Sequence, residues 1–160
     1  MVMLIQRSTL TLLIVVLLAS LQSCTGSRYF KSIDPVPHGM AILYVFRTLD
    51  DFGDWPSQSV YVNDRKIASL SSHAYTSYVT PPGLVTVRTR GLRQAYMRFN
   101  AEVGKSYFLK SSINTLSSKS TVTDIDVLSL DVLAFMEPET GLREIRNCQL
   151  SSDTSALYSY

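Results

Sequence analysis

Cysteine is scarce in this chain of 160 residues, which has two, Cys24 and Cys148. An excess of one charge is missing too: 15 lysines and arginines against 13 aspartates and glutamates give a net +2, which implies no nucleic-acid partner. Histidine occurs twice, as His38 and His73, and neither stands in a metal-ligand spacing or beside a nucleophile motif such as G-x-S-x-G. No metal site, no cofactor and no catalytic residue is expected. Nor is there a membrane-spanning run. The one greasy stretch, residues 10–18, is bounded by Arg7, Ser8 and Thr9 before it and by Ser20, Gln22 and Ser23 after it. It falls short of the roughly 20 apolar residues that a spanning helix wants. No internal repeat is evident.

That stretch has instead the length of a signal-peptide core, with Arg7 as its basic flank. It runs into Leu21-Gln22-Ser23-Cys24, which resembles the lipobox of bacterial lipoproteins: an aliphatic residue three before the cysteine and a small one just before it. The resemblance implies a diacylglycerol on Cys24, cleavage in front of it and acylation of the freed amine. Each buried methylene contributes about 0.8 kcal/mol, so two or three chains anchor stably where one would come and go. Thr25 stands where inner-membrane lipoproteins of many Gram-negative bacteria carry an aspartate, which implies an outer-membrane protein facing the periplasm. With Cys24 so used, Cys148 has no partner within the chain, and the fold must stand without a disulfide. It either packs as a small apolar side chain or pairs with another chain. The expected division is a signal peptide over 1–23, the lipidated cysteine and a tether over 24–38, one β domain over 39–150 and a loosely held tail over 151–160. Within the tether, Tyr29 and Phe30 suit either the domain's edge or the lipid headgroups.

The domain opens on AILYVFR, residues 41–47, where Ile42, Tyr44 and Phe46 share one face and Leu43 and Val45 the other; both faces read as covered, which predicts a central strand. In SVYVNDRKIASL, Asn63-Asp64 between two apolar runs predicts a hairpin. AYTSYVT reads as a strand that stops at Pro81-Pro82-Gly83, since proline lacks a ladder donor. Then comes clean alternation. Val85 and Val87 point inward while Thr86, Arg88 and Arg90 point out, and Ala95, Met97, Phe99 and Ala101 form the inward set of the next strand beyond Gly91-Leu92-Arg93. SYFLKSSI continues the pattern, NTLSSKSTVT reads as a loop, and DIDVLSLDVLAFM changes phase between Val127 and Leu128, the mark of a bulge or of two strand pieces. EPETGLREIRNCQL has the charge order of a short helix, acidic in front and basic behind, with Gly141 arguing against it. About seven short strands predict an all-β antiparallel sandwich, immunoglobulin-like or transthyretin-like, with a short C-terminal helix. A small barrel is the alternative.

On GMAILYVFR, SVYVNDRKIASL, AYTSYVTPPG and AEVGKSYFLK, the chain over residues 39–113 resembles the bacterial lipoprotein family of domain of unknown function 2846. YTSYVTPPGLVTVRT is similar to PEGA-type sandwich modules. Asp64 stands where such sequences often have a glycine, and Leu84-Val85 where a histidine often follows the turn. The resemblance implies a β-rich, envelope-attached domain and imports no catalytic residue.

Candidate sites have two readings each. Arg88, Arg90, Arg93, Arg98 and Tyr96 gather on two neighbouring strands and their turn; guanidinium forks suit phosphates and carboxylates, while strand arginines also guard a sheet against edge pairing. Phe52 and Trp55 are either a recognition tip or a plug in the open end of the core. Asp50, Asp51 and Asp54 lack the spacing of a calcium loop and read as solvated turn carboxylates. Ser71-Ser72-His73 is a sequence neighbourhood without an orienting acid. The expectation is a non-enzymatic, lipid-anchored envelope protein whose sandwich binds or scaffolds an envelope protein or anionic glycan, with a periplasm-facing hydrolase or small-ligand binder as the alternative.

Overall fold

The alternating and β-branched runs pair into two sheets. The computed structural model describes residues 29–48, 56–91, 94–116 and 128–152. Over these it has β1 (Ala41–Arg47), β2 (Gln58–Val62), β3 (Arg65–Leu70), β4 (Ala74–Thr80), β5 (Gly83–Arg90), β6 (Gln94–Ala101), β7 (Ser106–Leu116), β8 (Leu128–Met136), a helix α1 (Pro138–Ile145) and β9 (Gln149–Leu150). One sheet has the order β8-β7-β1-β4-β9 and the other β3-β2-β5-β6, packed as an all-β sandwich. The described strands number nine where the sequence suggested about seven; β9 has two residues, too short to show a period. The four-stranded sheet is wholly antiparallel, whereas β1 with β7 and β4 with β9 run parallel.

Local chemistry accounts for the turns. Asn63 and Asp64 both take positive φ, 46° and 66°, as the two central residues of a type I′ hairpin must. Pro81 and Pro82 end β4, and β5 then begins in the opposite sheet. All seven residues of β1 are buried, in agreement with its two apolar faces. Leu43 and Val45 join Val60, Ile67, Leu70, Val85 and Val87 between the sheets. Ile42, Tyr44 and Phe46 join Phe108 on the other side.

That other side is closed by two pieces of chain. One is α1, which brings Leu142 and Ile145 onto Phe108 and Tyr44. A Cβ on Gly141 would lie 2.6 Å from the Phe108 Cβ, so the glycine that argued against a helix is what lets this helix approach the sheet. The other is the segment expected as tether. Phe30 is 6 % exposed and meets Tyr44 and Tyr75 edge-on, with ring centroids 5.5 and 5.4 Å away. Its N–H donates to the Cys148 carbonyl at 3.1 Å, and Tyr29 bridges to Gln149. Farther along, the Asp34 N–H donates to the Tyr44 hydroxyl at 2.8 Å. Residues 29–38 are therefore a strap on the sheet, because burying an aromatic ring of this size contributes on the order of 2 kcal/mol that a free tether forgoes.

Burial on this side perturbs two groups. Desolvation, with the Asp34 charge adding and the Asp34 N–H opposing, pushes the Tyr44 phenol up to about 12. Cys148 is fully buried and donates to the Arg47 carbonyl at 3.5 Å; burial first, then the Glu144 carboxylate, push its thiol up to about 12 against the opposing charge of Lys110. The packed reading of this cysteine is the one observed.

Some boundaries shift. β7 runs to Leu116, into the polar segment read as a loop from Asn114, because its ladder with β8 continues to Leu116 opposite Leu128. Ser151, assigned to the tail, is buried; its N–H donates to the Tyr75 carbonyl at 2.8 Å and its hydroxyl to the Ser69 carbonyl at 2.7 Å. Residues 153–160 lie outside the described residues.

Candidate functional site

Strand register builds the arginine face row by row. Tyr61, Arg88 and Tyr96 stand opposite one another on β2, β5 and β6, and Lys66 of β3 extends the row beyond Tyr61. With neighbouring strands about 4.8 Å apart, four side chains alternate cation and aromatic over roughly 14 Å. Adjacent positions on the same face put Arg90 opposite Ser59 and Gln94, and Arg98 opposite Thr86. The inward partners Val85, Val87 and Thr89 are buried, which fixes the parity and holds these polar side chains outward.

Within the face the cations differ. The Arg88 guanidinium lies 4.8 Å from the Tyr61 ring centroid and 3.3 Å from an Asp64 carboxylate oxygen, so it is oriented by its own sheet. Arg90 and Arg98 are exposed and make no ion pair with a described residue. Tyr96 is 69 % exposed. The sequence placed Arg88, Arg90, Tyr96 and Arg98 together, and the register does so as well. It missed Tyr61, which the regular β2–β5 register sets opposite Arg88, and Lys66, which a bulge between Val60 and Tyr61 sets opposite Tyr61. Arg93, Phe52, Trp55, Cys24 and the aspartates at 50, 51 and 54 lie outside the described residues.

The serine-rich turn forms a second feature. His73, at φ 55°, accepts from the Gln149 N–H on its carbonyl at 2.7 Å, and a groove of about 450 Å³ runs beside it. Serines 57, 69, 71, 72, 151 and 152 line that groove with His73, and no carboxylate among the described residues does. A serine–histidine pair without an orienting acid lacks the third member of a nucleophilic constellation. The sequence could show only Ser71-Ser72-His73; Ser151 and Ser152 come from far along the chain through β9.

Between these features, one end of the sandwich is filled with polar groups that the sequence reading passed over. Arg47, wholly buried at the end of β1, donates to the carbonyls of Pro56 at 2.8 Å and Leu70 at 3.5 Å. The Ser111 hydroxyl donates to the Gln58 side-chain Oε1 at 2.7 Å, and the Gly91 N–H donates to the Asp131 carboxylate at 2.9 Å. Such bonds offset the cost of burying polar groups at the end of an apolar core.

Among the described residues, no three His, Cys, Asp or Glu side chains gather as a metal site, and no helix is long and apolar enough to cross a membrane. No family model, curated protein or solved structure matches the chain.

Proposed function

We propose that this chain is a non-enzymatic, lipid-anchored protein of the bacterial cell envelope, held by acyl groups on Cys24 at the outer membrane and facing the periplasm. Its sandwich binds or scaffolds an anionic envelope component, a protein or a glycan, through the outer face of the four-stranded sheet. One observation carries this reading. Of the two outward sheet faces, one is covered by Phe30 and α1, and among the described residues nothing packs over the other, where Arg88, Arg90 and Arg98 are interleaved with Tyr61 and Tyr96. A rigid sheet presents these side chains in fixed register, and guanidinium forks read carboxylates and phosphates. The alternative, a hydrolase working at the serine groove, is disfavoured by the lining around His73, which among the described residues supplies hydroxyls and no acid.

The test is crosslinking and co-purification from envelopes at native expression with a C-terminal tag. A stoichiometric partner is expected with the native chain, absent from the double variant Arg88→Glu, Arg90→Glu at equal abundance and with a melting temperature lowered by no more than a few degrees. Retention of the partner by that variant, or no partner on correctly anchored protein, sinks the proposal.

A further inference from the structure

We infer that the domain stands end-on to the membrane, with the end that carries Tyr29, His73, Arg146 and Asn147 against the lipid headgroups. This rests on the anchor reading above and adds an orientation to it. Tyr29, the first described residue, bridges to Gln149; Gln149 stands opposite Ala74, and Ala74 opposite Arg47, the last residue of β1. The strap then crosses the covered face, and the turn at residues 38–40 feeds β1 at the opposite end. Cys24 is five residues before Tyr29. Five residues reach at most about 17 Å, even fully extended.

That reach chooses between the two ends. β1 has seven residues, about 23 Å of strand, so an inverted domain would hold Tyr29 farther from the headgroups than its chain allows. Lys110 is the last β7 residue opposite β1, facing Phe46, and the β7–β8 ladder continues from Ser111 to Leu116. This part of the hairpin lies against the other sheet, where Ser111 donates to the Gln58 side chain and Asp131 accepts from the Gly91 N–H. Exposed Arg146, Asn147 and His73 border the Tyr29 entry point in one open polar recess. Charge does not choose this orientation. In sequence Arg28 and Lys31 stand on either side of Tyr29 and Phe30, while Asp50, Asp51 and Asp54 fall between β1 and β2. Chain length chooses it. With strand ends toward the membrane, the Arg88–Tyr96 row faces sideways along the envelope, open to a neighbouring component and turned away from the protein's own leaflet.

The test uses the lipidated full chain in vesicles of phosphatidylethanolamine and phosphatidylglycerol carrying a headgroup nitroxide quencher. A bimane label is placed on Asn147→Cys or on Val103→Cys, which sits in the β6–β7 turn at the opposite end; Cys148 is buried and remains unlabelled. Quenching at 147 is expected to exceed quenching at 103 at least threefold. Inserting 20 glycine and serine residues between Ser27 and Arg28 raises the mean reach to roughly 28 Å and should bring the ratio near one. Equal or reversed quenching on acylated protein overturns the orientation and leaves the anchor reading intact, and a ratio unchanged by the insertion overturns the tether as its cause. Mass spectrometry of the mature N-terminus reads the anchor separately: an unacylated Cys24 overturns anchor and orientation together.

Discussion

The two outward faces of this sandwich are built from the same kind of strand and have opposite fates. On the five-stranded sheet, Ile42, Tyr44, Phe46 and Phe108 point outward and are buried by a strap and a helix. On the four-stranded sheet, Arg88, Arg90, Tyr96 and Arg98 point outward and meet solvent. The difference lies in parity. β1 is apolar at odd and even positions alike, so it demands cover on both sides, while β5 and β6 alternate and demand it on one. Whether a sheet face asks for cover is thus a property written residue by residue.

The contrast breaks most severely at Phe30. Phe30→Ala removes the ring that sits edge-on to Tyr44 and Tyr75, and replacing a buried phenylalanine with alanine typically costs 3–5 kcal/mol. Denaturant unfolding should show a loss of that order, and a fluorescent probe of exposed apolar surface should bind the variant while its far-ultraviolet dichroism stays β-like. A loss below about 1 kcal/mol would mean that the strap is not part of the folded domain.

Alkali should act on the covered face as well. Tyr44 and Cys148 both have folded values of about 12, above their ordinary 10.0 and 9.0. A raised folded value means that the unfolded chain releases the proton first. The stabilisation is whole below about pH 9, falls as pH rises through the window from 9 to 12, and is gone above it. Urea titrations at pH 7, 9 and 10.5 should show stability dropping across the upper interval by as much as a few kcal/mol. Cys148→Ala should flatten the part of the slope that begins at pH 9; an unchanged slope would show that the thiol does not stay protonated in the fold.

How much of this could be read from the sequence follows the range of the interactions. The Asn63-Asp64 hairpin, the parity of β5 and β6 and the two-sided burial of β1 depend on neighbours in sequence, and all were legible. Phe30 was legible only as one of two options, domain edge or headgroups, because its site is made by Tyr44, Tyr75 and the Cys148 carbonyl, which no local period announces. The same holds for β9, whose two residues become a strand only beside β4, and for the serine groove, which Ser151 and Ser152 complete from the far end of the chain. The arginine row was half legible: alternation placed Arg88, Arg90, Arg98 and Tyr96 outward, but joining them to Tyr61 and Lys66 requires knowing that β2 lies between β3 and β5.

Gly141 offers a gentler way to disturb the covered face. Alanine is favoured over glycine in a helix by roughly 1 kcal/mol, yet its Cβ would stand 2.6 Å from the Phe108 Cβ, an atom fixed to the β7 backbone. The helix must then lift, at an overpacking cost of about 1–3 kcal/mol. Gly141→Ala is expected to lower the melting temperature by several degrees; a rise would mean that helix propensity outweighs the close approach.

Arg88 sharpens the contrast from the bare side, where the smallest stability effect is expected. Its contact with Tyr61 is worth about 0.5–1 kcal/mol at an exposed site. The ion pair with Asp64, whose side chain is 88 % exposed, adds little in water. Arg88→Ala should therefore shift the unfolding free energy by no more than about 1 kcal/mol, a few degrees in melting temperature. If the face serves a partner, the same substitution weakens envelope capture by far more than it weakens the fold, because Arg88 is held in place by Tyr61 and Asp64 and loses little side-chain freedom on binding. A fall in stability as large as that of Phe30→Ala, with capture unaltered, would instead make the arginine row a prop for the sheet, and the two faces would no longer differ in kind.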